Sequence, residues 1–270
     1  MMLEDKKYQR LAVDELVKTT SKFLDRDGPG EVCVFQAPTG SGKTVIMAKF
    51  IQDFIKDRGD LDVCFVWLSI GKGDLHIQSK DSLKKIFDLF PRVVLAEEAF
   101  AGGRFHIIKH EVVVVNWEKI RAQTDGEWTN KLMRDGEKWN LRDVLENTHR
   151  EGRKMILIID ESHIGKYTIR TEQLLAVFNA DVTIEVSATP KIEANEHDYQ
   201  TGKWFSIFIT DKYLPTEIPM SSKHVHIRID PKMVIDEGMI KKEIIINEDI
   251  AKIAQSEDDS QAAVLEAAYR

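Results

Sequence analysis

Residues 37–44 read APTGSGKT, an octet whose residue types can hold a phosphate. It follows the apolar run Val32–Phe35 and precedes VIMAKFIQDFI, a stretch of helical character. The spacing fits the phosphate-loop pattern, in which Gly is followed after four residues by Gly-Lys and then Ser or Thr. Ala37 stands in place of the first Gly, and the strand–loop–helix setting is the one this pattern requires. Gly40 and Gly42 let the backbone curl, so that successive N–H groups converge on an anion. The N-terminus of the following helix adds partial positive charge. Thr39, Gly40, Ser41, Gly42, Lys43 and Thr44 are therefore the expected phosphate cradle. Lys43 is expected to reach the outer phosphates, and the Thr44 hydroxyl to hold magnesium.

A second constellation lies more than a hundred residues downstream. The apolar residues Ile156–Ile159 run into Asp160, Glu161 and His163 in the segment IIDESH. By itself an acidic pair at a strand end reads as a solvated surface. With a phosphate loop upstream, Asp160 is expected to hold magnesium and Glu161 to orient and deprotonate an attacking water. His163 has two readings, a coupling residue of the same site or an ordinary core or loop histidine. A third segment, SATP at 187–190, again begins where an apolar strand ends. Its hydroxyls, Ser187 and Thr189, can bond to the carboxylates or to His163, although an ordinary turn before proline has the same residue types.

The elements that must position these groups alternate along the chain. An amphipathic helix is expected over Tyr8–Leu24, with strands at Val32–Phe35, Val63–Leu68, Val93–Leu95, Val112–Val115, Met155–Ile159 and Val182–Val186. A helix is expected over Leu75–Phe90, stopping before Pro91, and another over Thr171–Phe178. Apolar strands alternating with helices imply a mostly parallel central sheet flanked by helices. Ligands in such sheets sit at the carboxyl ends of strands, where all three segments begin. Residues 121–153 are polar and bear Trp128 and Trp139, and read as a helical insertion. After residue 230 the character changes, so 1–230 reads as one domain and 231–270 as a lead-in to further chain.

Composition narrows the class. The 270 residues are 43% hydrophobic and 31% charged, with a formal net charge of −7. That suits a soluble α/β domain and argues against a globally basic nucleic-acid binder, though a local basic groove remains compatible. Cys33 and Cys64 lie in apolar runs without metal-ligand spacing and read as buried free thiols. No run approaches the ~18 apolar residues of a membrane span, and MMLEDKKYQR lacks a signal-peptide core, so a cytoplasmic location is expected.

APTGSGKT, DESH and SATP, in this order and spacing, resemble motifs I, II and III of superfamily 2 helicases and translocases. Tyr8-Gln9 in YQRLAV resembles the upstream glutamine motif, which implies that Gln9 reads adenine. The segments VWLSIGKGDLHIQSKDSL, VVVVNWEKI, NTHREGRKMILIIDESHIG and VIDEGMIKKEIIIN are similar to the restriction (Res) subunit of type III restriction–modification enzymes. The resemblance implies a RecA-like P-loop NTPase domain using ATP and Mg2+ and moving on double-stranded DNA beside a methyltransferase (modification) subunit. It implies that Ser187 and Thr189 couple nucleotide state to domain movement. It also implies a second RecA-like domain and a nuclease domain, and nothing after residue 231 resembles either. DNA is expected near Ser69–Lys72, Gln78–Lys80 and Asn116–Lys119. Two other readings stay open: a different superfamily 2 DNA or RNA helicase fragment, and a nucleotide-binding interaction module without turnover of its own.

Overall fold

Five of the eight described strands end in a polar residue, and the runs Val63–Ser69 and Val112–Asn116 are buried throughout. The computed structural model describes residues 6–26, 30–70, 73–100, 103–117, 141–160, 175–192 and 194–240. In chain order the elements are α1 (Lys7–Leu24), β1 (Glu31–Gln36), α2 (Lys43–Asp57), β2 (Val63–Ser69), α3 (Leu75–Phe87), β3 (Val93–Leu95), α4 (Ala96–Phe100) and β4 (Val112–Asn116). They continue with α5 (Leu141–Arg150), β5 (Lys154–Asp160), β6 (Val182–Ser187), α6 (Glu196–Gln200), β7 (Trp204–Ile209), β8 (His224–Ile229) and α7 (Pro231–Asp236). Residues 175–178 are also helical.

Among the described residues eight strands form one sheet, in the order β3-β4-β2-β5-β6-β1-β8-β7. Every pairing in it is parallel. The fold is therefore the expected α/β architecture of a RecA-like domain. Successive residues of a strand point to opposite faces, and the core divides accordingly. Val63, Phe65 and Trp67 join a cluster with α1, α2, α3 and α7. Cys64, Val66 and Leu68 join a second cluster with α4, α5 and residues 175–178. Each fully buried Phe or Leu in these layers contributes about 1.5–3 kcal/mol. Cys33 and Cys64 are free and buried, and burial pushes both thiols up in pKa.

The structure differs from the sequence expectations in three places. The helix expected over Leu75–Phe90 ends at Phe87, because Asp88 turns left-handed at φ 58° and the backbone before Pro91 disfavours the α region. Two further strands extend the sheet beyond β1, β8 (HVHIRI) and then the edge strand β7 (WFSIFI), and both carry β-favouring types. Helical structure in the expected 121–153 insertion is described over Leu141–Arg150, where Leu141, Val144 and Leu145 pack into the second cluster; 118–140, with Trp128 and Trp139, lie outside the described residues. Among the described residues no helix is long and apolar enough to cross a membrane.

Candidate functional site

The phosphate loop leaves β1 at Gln36 and enters α2 at Lys43. Gly40 and Gly42 sit at φ 82° and 80°, the left-handed region that glycine occupies without a Cβ penalty. Gly42 caps α2 with no side-chain hydrogen bond. A helix N-terminus of this kind favours anions. The Ser41 hydroxyl is fully buried and, among the described residues, has no hydrogen-bond partner. A buried hydroxyl without a described partner, next to a helix N-terminus, suits a loop that receives an anion.

The loop is held from behind by α1. The Tyr8 hydroxyl donates to the Ser41 carbonyl at 2.7 Å, and the Gln9 amide nitrogen donates to the same oxygen at 3.2 Å. Tyr8 is wholly buried and Gln9 is 5% exposed. Burial raises the pKa of the Tyr8 phenol, the Gln9 contact opposes this and the Glu237 charge adds to it, so the phenol is a neutral donor. A Cβ on Gly42 would lie 3.0 Å from the Gln9 amide nitrogen. Gln9 thus braces the cradle. Tyr8, read from sequence only as part of the glutamine motif, makes the shorter of the two bonds.

The chain after α7 closes in from the other side. The Glu237 carboxylate accepts from the backbone N–H groups of Lys7 at 3.1 Å and Tyr8 at 3.3 Å, which lie at the N-terminus of α1. Ile240 lies over the phosphate loop, with its Cγ2 3.0 Å from where a Cβ on Gly40 would be. Spacing gave no signal for this contact, because 200 residues separate its partners.

Strand order decides how the three sequence segments meet. Asp160 ends β5 and Ser187 ends β6, and β6 lies between β5 and β1. Asp160 pairs in register with Val186, and Ser187 with Gln36, so the SATP segment stands between the carboxylate and the phosphate loop. The Ala37 N–H donates to the Ser187 carbonyl at 3.2 Å. The Ser187 hydroxyl is buried and accepts from the Thr189 N–H at 3.1 Å, while Thr189 itself is exposed. Glu161 and His163 lie outside the described residues. Thr44 opens α2 beside Lys43 and is half-buried. Among the described residues no group of three or more His, Cys, Asp or Glu could hold a metal ion. A magnesium site here would draw instead on Thr44, Asp160, water and phosphate oxygens, the ligand set that this ion commonly keeps.

In the stretches expected near DNA, Ser69, Asn116 and Lys80 are buried or bonded within the chain, while Gln78 is exposed. Ser69 and Asn116 are 5% and 6% exposed at the ends of β2 and β4. The Asn116 amide lies 3.0 Å from His76 Nδ1 in a buried contact. Lys80 donates to both oxygens of Glu98, at 2.7 and 2.9 Å. That hydrogen bond is the main cause holding the Glu98 carboxyl below its usual pKa. Residues 71–72 and 118–119 lie outside the described residues.

Residues 2–192 match the sequence model of the family described as "Type III restriction enzyme, res subunit". Among curated proteins none matches. Two solved structures are similar at 14% identity. One is the Sulfolobus solfataricus SWI2/SNF2 ATPase core in complex with dsDNA, with a TM-score of 0.46 over 70% of this chain and 32% of that one. The other is a nuclease-deletion mutant of the type ISP restriction-modification enzyme LlaGI in complex with a DNA substrate mimic, with a TM-score of 0.48 over 94% of this chain and 22% of that one. The chain thus spans about a third or less of either.

Proposed function

This chain belongs to the family of the type III restriction enzyme res subunit, and from that premise we propose that it binds ATP with magnesium at residues 37–44. In the whole enzyme it hydrolyses that ATP as the first RecA-like motor domain of a translocase on double-stranded DNA. The observation that carries the reading is the loop itself. Two left-handed glycines precede a helix start without a side-chain cap, and Tyr8 and Gln9 hold the intervening Ser41 carbonyl.

The residues divide the work by chemistry. Thr39 to Gly42 present backbone donors to phosphate oxygens, and Lys43 contributes a charge-assisted contact to the outer phosphates. Gln9 reads the adenine edge. Thr44 and Asp160 hold magnesium, which when bound neutralises charge on the phosphates. Glu161 takes the proton of the attacking water. Ser187, Thr189 and His163 transmit nucleotide state to DNA movement. Duplex DNA and a methyltransferase subunit are the partners that the family resemblance implies. Type III restriction, with its nuclease step, is an activity of the whole enzyme. An arginine supplied by a second motor domain is worth about 10³–10⁵ in rate, so these 270 residues by themselves are expected to turn ATP over slowly.

Calorimetry with Mg-ADP and Mg-ATP tests the binding step. Lys43→Ala should weaken nucleotide about tenfold or more, the loss of a charge-assisted contact of roughly 1.5–3 kcal/mol. Equal affinity in wild type and Lys43→Ala would remove the site assignment.

A further inference from the structure

Gln36, the last residue of β1, sits immediately before the phosphate loop and is half-buried. Its neighbours Cys33 and Phe35 belong to the core layer under α1 and α2. Its side-chain amide links Ala188, the residue after β6, to His226 on β8. The Nε2 group donates to the carbonyl of Ala188 at 3.3 Å. The Oε1 atom lies 3.0 Å from Nε2 of His226 on β8.

The two contacts fix each other. An amide turned the other way would set its oxygen against the Ala188 carbonyl, so that carbonyl orients Oε1 toward His226. The imidazole must then donate through Nε2–H. His226 is 8% exposed, and burial first and the neighbouring Arg228 second lower its pKa to about 4, which keeps the ring neutral and able to serve in this tautomer. Arg228 is in turn held over the Phe208 ring at 4.6 Å.

The position of this bridge matters more than its strength. Register pairing between β1 and β6 ends at Gln36 and Ser187, with one further backbone bond from Ala37 N–H to the Ser187 carbonyl. At Ala188 the SATP segment leaves the sheet, and the Gln36 side chain holds its carbonyl there. The same residue begins the turn into the phosphate loop. We propose that Gln36 is a positioning residue that ties the SATP segment to the phosphate loop, with His226 orienting its amide. A shift of the loop on nucleotide binding then moves Ala188 directly. This role rests on the nucleotide reading given above, but the tie itself exists without nucleotide.

Amide hydrogen exchange on the 270-residue chain tests it, with Gln36→Met as the variant of similar length and no polar atoms. Without nucleotide, exchange at Ala188 and Thr189 should rise roughly three- to tenfold, the loss of one net hydrogen bond. Exchange at Ile184 in β6 and at Phe50 in α2 should stay within about twofold under the same conditions. His226→Phe should loosen the same two amides, and His226→Gln, which keeps a donor, should restore them. Unchanged exchange at 188–189 in Gln36→Met would overturn the proposal. So would a rise of equal factor across β1, β6 and α2, since that marks a packing residue. Added Mg-ADP should protect Ala188 and Thr189 in wild type but not in Gln36→Met, and equal protection in both would also refute the tie. If Mg-ADP protects no phosphate-loop amide in wild type, the nucleotide reading fails, and the nucleotide-free comparison still decides the role of Gln36.

Discussion

Gly42→Ala puts a single methyl group against the brace of the phosphate loop. Residue 42 has φ 80°, and its Cβ would lie 3.0 Å from the Gln9 amide nitrogen. Holding alanine in the left-handed region costs about 1–2 kcal/mol. The methyl also pushes on an amide bound to the Ser41 carbonyl at 3.2 Å and set 3.4 Å from the Tyr8 hydroxyl. Losing that hydrogen bond adds about 0.5–1.5 kcal/mol. Gly152 supplies the control, with φ 79° and open space where its Cβ would be. Gly152→Ala should therefore show the backbone cost alone. Urea unfolding of both variants should place Gly42→Ala below Gly152→Ala by about 0.5–1.5 kcal/mol. In a Gln9→Ala background the excess should vanish, because the amide is no longer there to displace. Equal losses in the two glycine variants, or an excess that survives Gln9→Ala, would refute the claim that Gln9 braces the loop.

In the full-length enzyme, Glu161→Gln should keep nucleotide affinity and lose turnover by about a hundredfold or more; unchanged steady-state ATPase would remove its role as general base. Ser187→Ala combined with Thr189→Ala should spare DNA-stimulated ATPase while impairing translocation, and loss of both by one factor would refute a coupling role. His226 has a folded pKa of about 4, below the ~6.5 of an unfolded imidazole. The unfolded state therefore binds more protons between these values, so this contribution to stability is present above pH 6.5 and lost as pH falls toward 4. Histidines 110 and 224 are also lowered, chiefly by burial, and add slope of the same sign. Replacing His226 with Gln should reduce the slope of unfolding free energy near pH 5 by about 1 kcal/mol per pH unit; an unchanged slope by urea titration would show that His226 is not buried neutral.

The pattern of the candidate site is local and is written in the sequence. A phosphate loop needs only glycines at two left-handed positions, a lysine and a hydroxyl within one octet, so APTGSGKT identifies itself. The strands are legible for the same reason, since apolar runs ending in Asp160 or before SATP are continuous in the chain. Tertiary structure decided what no local pattern encodes. The strand order sets Ser187 between Asp160 and Gln36, a matter of which crossovers pack best across the whole sheet. Lys80, in a stretch expected near DNA, donates to Glu98 of α4, a partner that no local pattern names. Gln36, His226 and Glu237 carry no motif, because their partners lie 152, 190 and about 230 residues away. Hydrogen bonds over such separations form only after the hydrophobic layers have brought the strands together, so the sequence marks the candidate site and the folded sheet assigns the residues that hold it.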